Sequence, residues 1–308
     1  MSEIILSTEN LTKKFGSKVA VDHVSISIKR GAIYGLIGMN GAGKTTIMKM
    51  LSGMIRPNEG TFDYSGLGSN LHESYKRIGA LIEAPAIYPN LSATDNLRVK
   101  ALAYGINDPK YLQDKLNLVG LGDVGKKKAG KFSLGMKQRL GIALALVGDP
   151  DFLLLDEPIN GLDPQGIVEV REMLTELNKK KGVTILISSH ILEELSKIAT
   201  DYGIISEGKL IEQITREELL GKCRDKIKIK TKDTSAIVTI LDANGFNDYS
   251  VIDSETIHVY DRISEIAQLN LAIAKEGILL DSIGVDSSDL EEYFLKTAVT
   301  DNKGGDVQ

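Results

Sequence analysis

Residues 38 to 45 read GMNGAGKT, the spacing G-x-x-x-x-G-K-T, between an apolar run (Ala32 to Ile37) and a helix-like stretch (Thr46 to Met50). That pattern is a phosphate-binding loop. Gly38, Gly41 and Gly43 let the backbone curl until successive amides from Asn40 through Ala42 to Thr46 face one anion. The helix that follows adds the positive end of its dipole to the same place. Lys44 brings a mobile cation to the terminal phosphates, and the Thr45 hydroxyl is a magnesium ligand. A second element complements the loop. FLLLDEP at 152 to 158 is a buried-strand pattern ending in two carboxylates. Asp156 at its C-terminal edge is placed to hold the magnesium shell beside Thr45, and Glu157 is the candidate general base for an attacking water. These residues predict a chain that binds a nucleoside triphosphate with magnesium.

The elements that must position them are legible in outline. Residues up to about 30 alternate with period two (Ile4, Leu6, then Val24, Ile26, Ile28), as in an antiparallel sheet. From about 72 to 148 the pattern is helical, interrupted at Ala84-Pro85 and Tyr88-Pro89-Asn90. Phe152 to Leu155 and Val183 to Ile187 are short apolar runs suited to strands buried on both faces of a parallel sheet. Between them Ile167, Val170, Leu174 and Leu177 mark a crossover helix over Pro164 to Lys181. Asp201 to Ile211, with Glu207-Gly208-Lys209 in its middle, predicts a closing hairpin.

Beyond about 215 the pattern changes to a helix (Arg216 to Leu220), a strand (Lys226 to Thr231), a helix (Thr234 to Asn244) and two strands (Tyr249 to Asp253, Thr256 to Tyr260). A helix (Ile263 to Lys275) and a strand (Ile278 to Val285) follow, giving the β-α-β-β-α-β order of a ferredoxin-like, α+β domain. Ser288-x-x-Glu291 predicts a last helix through Tyr293, Phe294 and Leu295. The expected domains are 1–215, with a helical subdomain at about 75–150, then 216–300 and a disordered tail at 301–308.

Composition narrows the function classes. The 308 residues are 42% hydrophobic and 26% charged, ordinary for a globular chain of about two domains. A net charge of −5 gives no broad basic surface, so no nucleic acid is expected as a partner. The lysine runs at 126–128 and 179–181 read as solvated faces. Cys223 is the single cysteine, which excludes an internal disulfide. No signal segment and no apolar stretch of membrane-spanning length is expected.

With these motifs in place, the chain resembles the ATP-binding subunit of an ABC transporter over roughly residues 3 to 213. The resemblance implies an α/β fold of P-loop NTPase type: a mixed sheet core, an antiparallel β subdomain and a helical subdomain. FSLGMKQRL, 132 to 140, is similar to the family's signature sequence, where Ser133 and Gly135 meet the γ-phosphate of a nucleotide held by a second copy. Leu134 stands where a glycine is common, and Met136 where a glutamine is. His190 after TILISS matches the switch histidine that contacts the γ-phosphate. Asp163 in NGLDP matches the loop that communicates across the dimer, and Phe15 the aromatic that stacks on adenine.

Glu83 stands where the family usually has a glutamine that touches magnesium and couples ATP to the membrane partner. Because a carboxylate ligates magnesium at least as well, Glu83 joins Thr45 and Asp156 as a candidate metal ligand, and it adds negative charge beside the phosphates. A carboxylate there, with SLGMKQRLGIA and LEEYFLK, resembles the bacitracin-resistance and lantibiotic self-protection branch. The resemblance implies ATP and Mg2+ as cofactors and a head-to-tail homodimer with ATP sandwiched between subunits. It also implies separate membrane-spanning permease subunits and a peripheral place on the cytoplasmic face of the membrane. The expected function is ATP hydrolysis powering export of a peptide antibiotic. The alternatives are an exporter of another cargo (drug, lipid or ion), a soluble ABC-type ATPase in translation or DNA maintenance, and a non-enzymatic, nucleotide-gated binding or regulatory module. One cassette and no sustained heptads weigh against the second, and Glu157 with His190 against the third.

Overall fold

Period-two alternation at the N-terminus and continuous apolar runs further on produce different kinds of strand. The computed structural model describes residues 3–223, 225–286 and 293–294. β1 (Ile4–Phe15), β2 (Lys18–Val24) and β3 (Ser27–Lys29) mix buried with exposed positions, whereas β4 (Ile33–Ile37) is buried at every position. α1 (Lys44–Leu51) opens at the lysine of the phosphate loop, and β5 (Glu59–Asp63) returns to pair with β1. α2 (Leu71–Lys76) leads to β6 (Ile78–Leu81). α3 (Ala93–Ala103), α4 (Pro109–Leu118) and α5 (Leu134–Ala145) form a helical insertion before β7 (Phe152–Asp156). α6 (Pro164–Lys181), β8 (Thr184–Ser189) and α7 (Leu192–Ser196) precede the hairpin of β9 (Asp201–Ser206) and β10 (Lys209–Thr215).

Two sheets result. β2, β1 and β3 are antiparallel, with β5 added on β1. The other sheet is mixed, in the order β10-β9-β4-β8-β7-β6, its neighbours parallel except for the β9–β10 hairpin. Glu207 and Gly208 close that hairpin with φ of 48° and 83°, the left-handed pair that matches strand twist. α1 packs Ile47, Met48 and Leu51 against Tyr34, Phe152 and Leu154, which fixes the phosphate loop to the sheet. Each such buried side chain contributes about 1.5–3 kcal/mol.

Two strands depart from the sequence reading. β6 lies inside the segment expected to be helical. Among the described residues its run IGAL pairs with β7 alone, and Gly79 marks why it is there: a Cβ would lie 2.1 Å from the Ala145 carbonyl oxygen. α5 thus crosses almost on the strand backbone, and four apolar residues without a turn signal are too short to separate strand from helix by period. β5 was not anticipated because EGTFD is mostly exposed and carries no apolar alternation.

The chain divides into two compact units, the described residues up to Arg216 and those from Glu217 onward. α8 (Arg216–Lys222) leads into β11 (Lys226–Thr231), α9 (Thr234–Ala243), β12 (Tyr249–Val251), β13 (Thr256–Val259), α10 (Ile266–Lys275) and β14 (Leu280–Asp286). The element order is β-α-β-β-α-β, and the strands pair antiparallel in the order β12-β13-β11-β14. Ile227, Ile229, Ile257 and Val259 bury one sheet face with Leu241, Phe246, Leu269 and Ile273. The helix expected from Ser288 lies outside the described residues except at Tyr293 and Phe294, which are helical, and so does the tail at 301–308.

Candidate active site

Parallel register assembles the site before any side chain is considered. Ile37 of β4 pairs with Ser189 of β8, Ser188 with Asp156 of β7, and Leu155 with Leu81 of β6. Gly38, His190, Glu157 and Glu83 therefore leave four adjacent strands at one carboxyl edge, the usual place for ligands in a parallel sheet. Gly43 caps α1 at φ 109°, and a Cβ there would meet the Ala20 carbonyl oxygen at 2.6 Å. Only glycine fits both demands.

Lys44 is 5% exposed, and its Nζ donates to the carbonyl oxygens of Gly38 (2.6 Å) and Met39 (3.3 Å). It also lies 3.2 Å from Glu157 Oε1. Glu157 Oε2 is 2.8 Å from His190 Nδ1, so the carboxylate stands between the loop lysine and the histidine. The Thr45 hydroxyl donates to Asp156 Oδ2 at 2.8 Å. Ser188 Oγ donates to Asp156 Oδ1 at 2.6 Å and accepts from the Glu157 amide at 3.0 Å. That hydroxyl locks both carboxylate residues, and the sequence reading passed over it. Its signal was a serine ending the buried run TILIS, where a polar atom needs a partner. Glu157 holds φ 49°, a strained conformation for a non-glycine residue beside reacting groups.

A cleft of about 340 Å³ opens over the loop, lined by Phe15, Lys18, Ala20, residues 40 to 46 and Glu157. Phe15 is 53% exposed on its rim, with the Lys13 ammonium 5.4 Å from its ring centroid. Thr45 and Asp156 suit magnesium, a small hard cation held by few protein oxygens together with phosphate oxygens and water. Among the described residues no group of three or more His, Cys, Asp or Glu gathers to form an all-protein cage. Glu83 lies at the same sheet edge, its Oε1 accepting from Lys49 Nζ at 2.6 Å.

Three of the expected residues are elsewhere. Ser133, Gly135 and Asp163 line a separate cleft of about 350 Å³ that shares no residue with the first. Ser133 caps α5 by accepting from the Met136 amide, and Asp163 caps α6 by accepting from Gly166. Arg139 of α5 donates to Glu169 of α6 at 2.8 Å and ties the two helix starts together.

The bacitracin transport ATP-binding protein BcrA of Bacillus licheniformis is 42% identical over 95% of this chain and 96% of its own length. The chain belongs to the ABC transporter family. The family's own model, "ABC transporter", matches residues 21–160, from β2 past the acidic pair. The lantibiotic transport ATP-binding protein SrtF of Streptococcus pyogenes is 46% identical over 67% of this chain and 89% of its own length. A solved ATP-binding subunit of an ABC transporter superposes with a TM-score of 0.62 at 29% identity, covering 71% of this chain and 92% of that one. As an ABC ATP-binding subunit, the chain is an ATPase coupled to transport, uses ATP with Mg2+, and works with membrane permeases. Among the described residues no helix is long and apolar enough to cross a membrane.

Proposed function

We propose that this ABC ATPase powers an exporter that removes a peptide antibiotic, of the bacitracin or lantibiotic kind, from the membrane of the cell that carries it. The observation that carries the reading is likeness to a bacitracin transport subunit along nearly the whole chain, the second unit included, joined by higher identity to a lantibiotic transport subunit over two thirds of the chain. Two copies pack head to tail on the cytoplasmic face, each ATP lying between one chain's loop 38–46 and the other's Ser133 and Gly135. The separation of the two clefts within one chain supports this, because Ser133 and Gly135 line a cleft that shares no residue with the one over loop 38–46. Domain roles divide at about residue 215, the first domain carrying the ATPase.

In that arrangement Lys44 leaves its carbonyl partners for the β- and γ-phosphates, and Thr45 and Asp156 would hold a magnesium ion, which would supply charge neutralisation at the phosphates. Glu157 takes a proton from the attacking water while His190 orients it and contacts the γ-phosphate. Phe15 stacks on the adenine, and Asp163 meets the opposite copy. Loss of the γ-phosphate removes the contacts that close the dimer. The permease docks on the loop from Glu83 to Asn90 and on α3, where Tyr88, Val99 and Leu102 are exposed apolar side chains.

The test is protection. Co-expression of the chain with its membrane partner in a susceptible host is expected to raise the inhibitory concentration of bacitracin or of a lantibiotic, and Glu157→Gln to abolish the gain. An active ATPase that protects against neither peptide overturns the cargo and leaves a drug, lipid or ion in its place.

A further inference from the structure

Glu83 places a carboxylate at the end of the strand next to the one that leads to Glu157. It stands two positions beyond Leu81, and Glu157 two beyond Leu155, and those leucines pair on adjacent parallel strands. Neighbouring strands run about 4.8 Å apart. Both glutamates turn off the sheet with positive φ, 60° at Glu83 and 49° at Glu157. A second carboxylate thus sits one strand from the base, at the edge where a polyanion binds. Like charges at that range repel, and at a side chain as exposed as Glu83 the repulsion is screened by salt.

Lys49 answers that charge. It lies one helical turn beyond Thr45 on α1, so the two side chains leave the same helix face. Thr45 reaches Asp156, and Lys49 reaches Glu83 at 2.6 Å. The Lys49 side chain is 29% exposed and that of Glu83 62%, so the pair adds little to stability by itself. Its consequence is electrical: Lys49 sets one positive charge directly against the negative charge of Glu83.

We propose that Lys49 is a positioning residue that clamps Glu83 and cancels its charge, so that this loop carries a carboxylate beside the triphosphate without weakening nucleotide binding. The inference rests on reading the cleft over residues 40 to 46 as the ATP site. Lys49 matters only while Glu83 is charged; a glutamine in its place leaves nothing to neutralise.

The test is equilibrium binding of a fluorescent ATP analogue to the full chain in EDTA, at low and high salt. It compares the wild type, Lys49→Met, Glu83→Gln and the double variant, with melting temperatures of all four nucleotide-free proteins. Binding by the wild type tests the cleft, and the comparison between backgrounds tests the clamp. Lys49→Met is expected to weaken binding about threefold to tenfold at low salt and less at high salt. The double variant and Lys49→Arg are expected to bind within about twofold of the wild type. Equal weakening by Lys49→Met in both Glu83 backgrounds, no weakening at all, or a loss that follows melting temperature instead of the charge at residue 83 overturns the proposal. Lys49→Gln serves if the methionine variant does not fold.

Discussion

Glu157 is held from both sides, by Lys44 at 3.2 Å and His190 at 2.8 Å, and a side chain so placed has few ways to fail quietly. Glu157→Gln keeps the shape and removes the base. It is expected to slow ATP hydrolysis by roughly 10²-fold or more while ATP binding survives, measured as phosphate release against nucleotide affinity. Turnover at the wild-type rate removes Glu157 from that role. Ser188 acts at one remove. Its hydroxyl fixes the Asp156 carboxylate and the Glu157 amide together, so Ser188→Ala leaves the carboxylate free to rotate away from Thr45. Hydrolysis is expected to fall about tenfold to 100-fold, with half-activity shifted to higher free magnesium, as for other groups that orient metal ligands. A magnesium titration that superposes on the wild type speaks against this role.

At the scale of elements, β6 and α5 are the contact to test. The Gly79 backbone lies against the Ala145 carbonyl, and no side chain fits between them. Gly79→Val is expected to cost about 1–3 kcal/mol or more by overpacking, read as a lower urea midpoint. An unchanged midpoint means that α5 can move off the strand freely. In the second unit, burial first, and then the charges of Lys226 and Lys228, hold His258 of β13 below its usual 6.5. A depressed pKa means that the unfolded chain takes up the proton first as pH falls. The stability tied to neutral His258 is therefore present above about pH 6.5 and lost on acidification below it. Urea unfolding at pH 7.5 and pH 5.5 checks this, and His258→Asn is expected to reduce the difference; an identical pH response from that variant excludes His258 as its source.

At the scale of the whole molecule, one chain offers two separate clefts, and in the proposed head-to-tail pair a second copy supplies the other half of each. The Glu157→Gln chain with saturating ATP is expected to elute at twice its monomer mass, and to return to monomer when Ser133→Arg is added. Arginine there fills the helix start that the opposite nucleotide would meet. A Glu157→Gln chain that stays monomeric at every ATP concentration rules out the sandwich. Chelating magnesium is expected to stop hydrolysis in the wild type without releasing all bound ATP, since the loop amides and Lys44 need no metal.

Much of the site could be read directly from the chain because its groups are carried by local patterns. GMNGAGKT fixes a turn, a helix start and a lysine within eight residues, and FLLLDEP fixes a strand and its terminal carboxylates within seven. The β-α-β-β-α-β order of the second unit was legible for the same reason, since each element there has its own apolar period and turn. What the sequence left open depends on non-local contact. β6 is a strand because β7 lies beside it and α5 presses on Gly79, and four apolar residues cannot announce either neighbour. Ser188 reaches across to Asp156 from another strand, and Lys49 to Glu83 from a helix. Local residues decided which groups were present. Which of them touch was decided only when the parallel register brought four strand ends to a single edge.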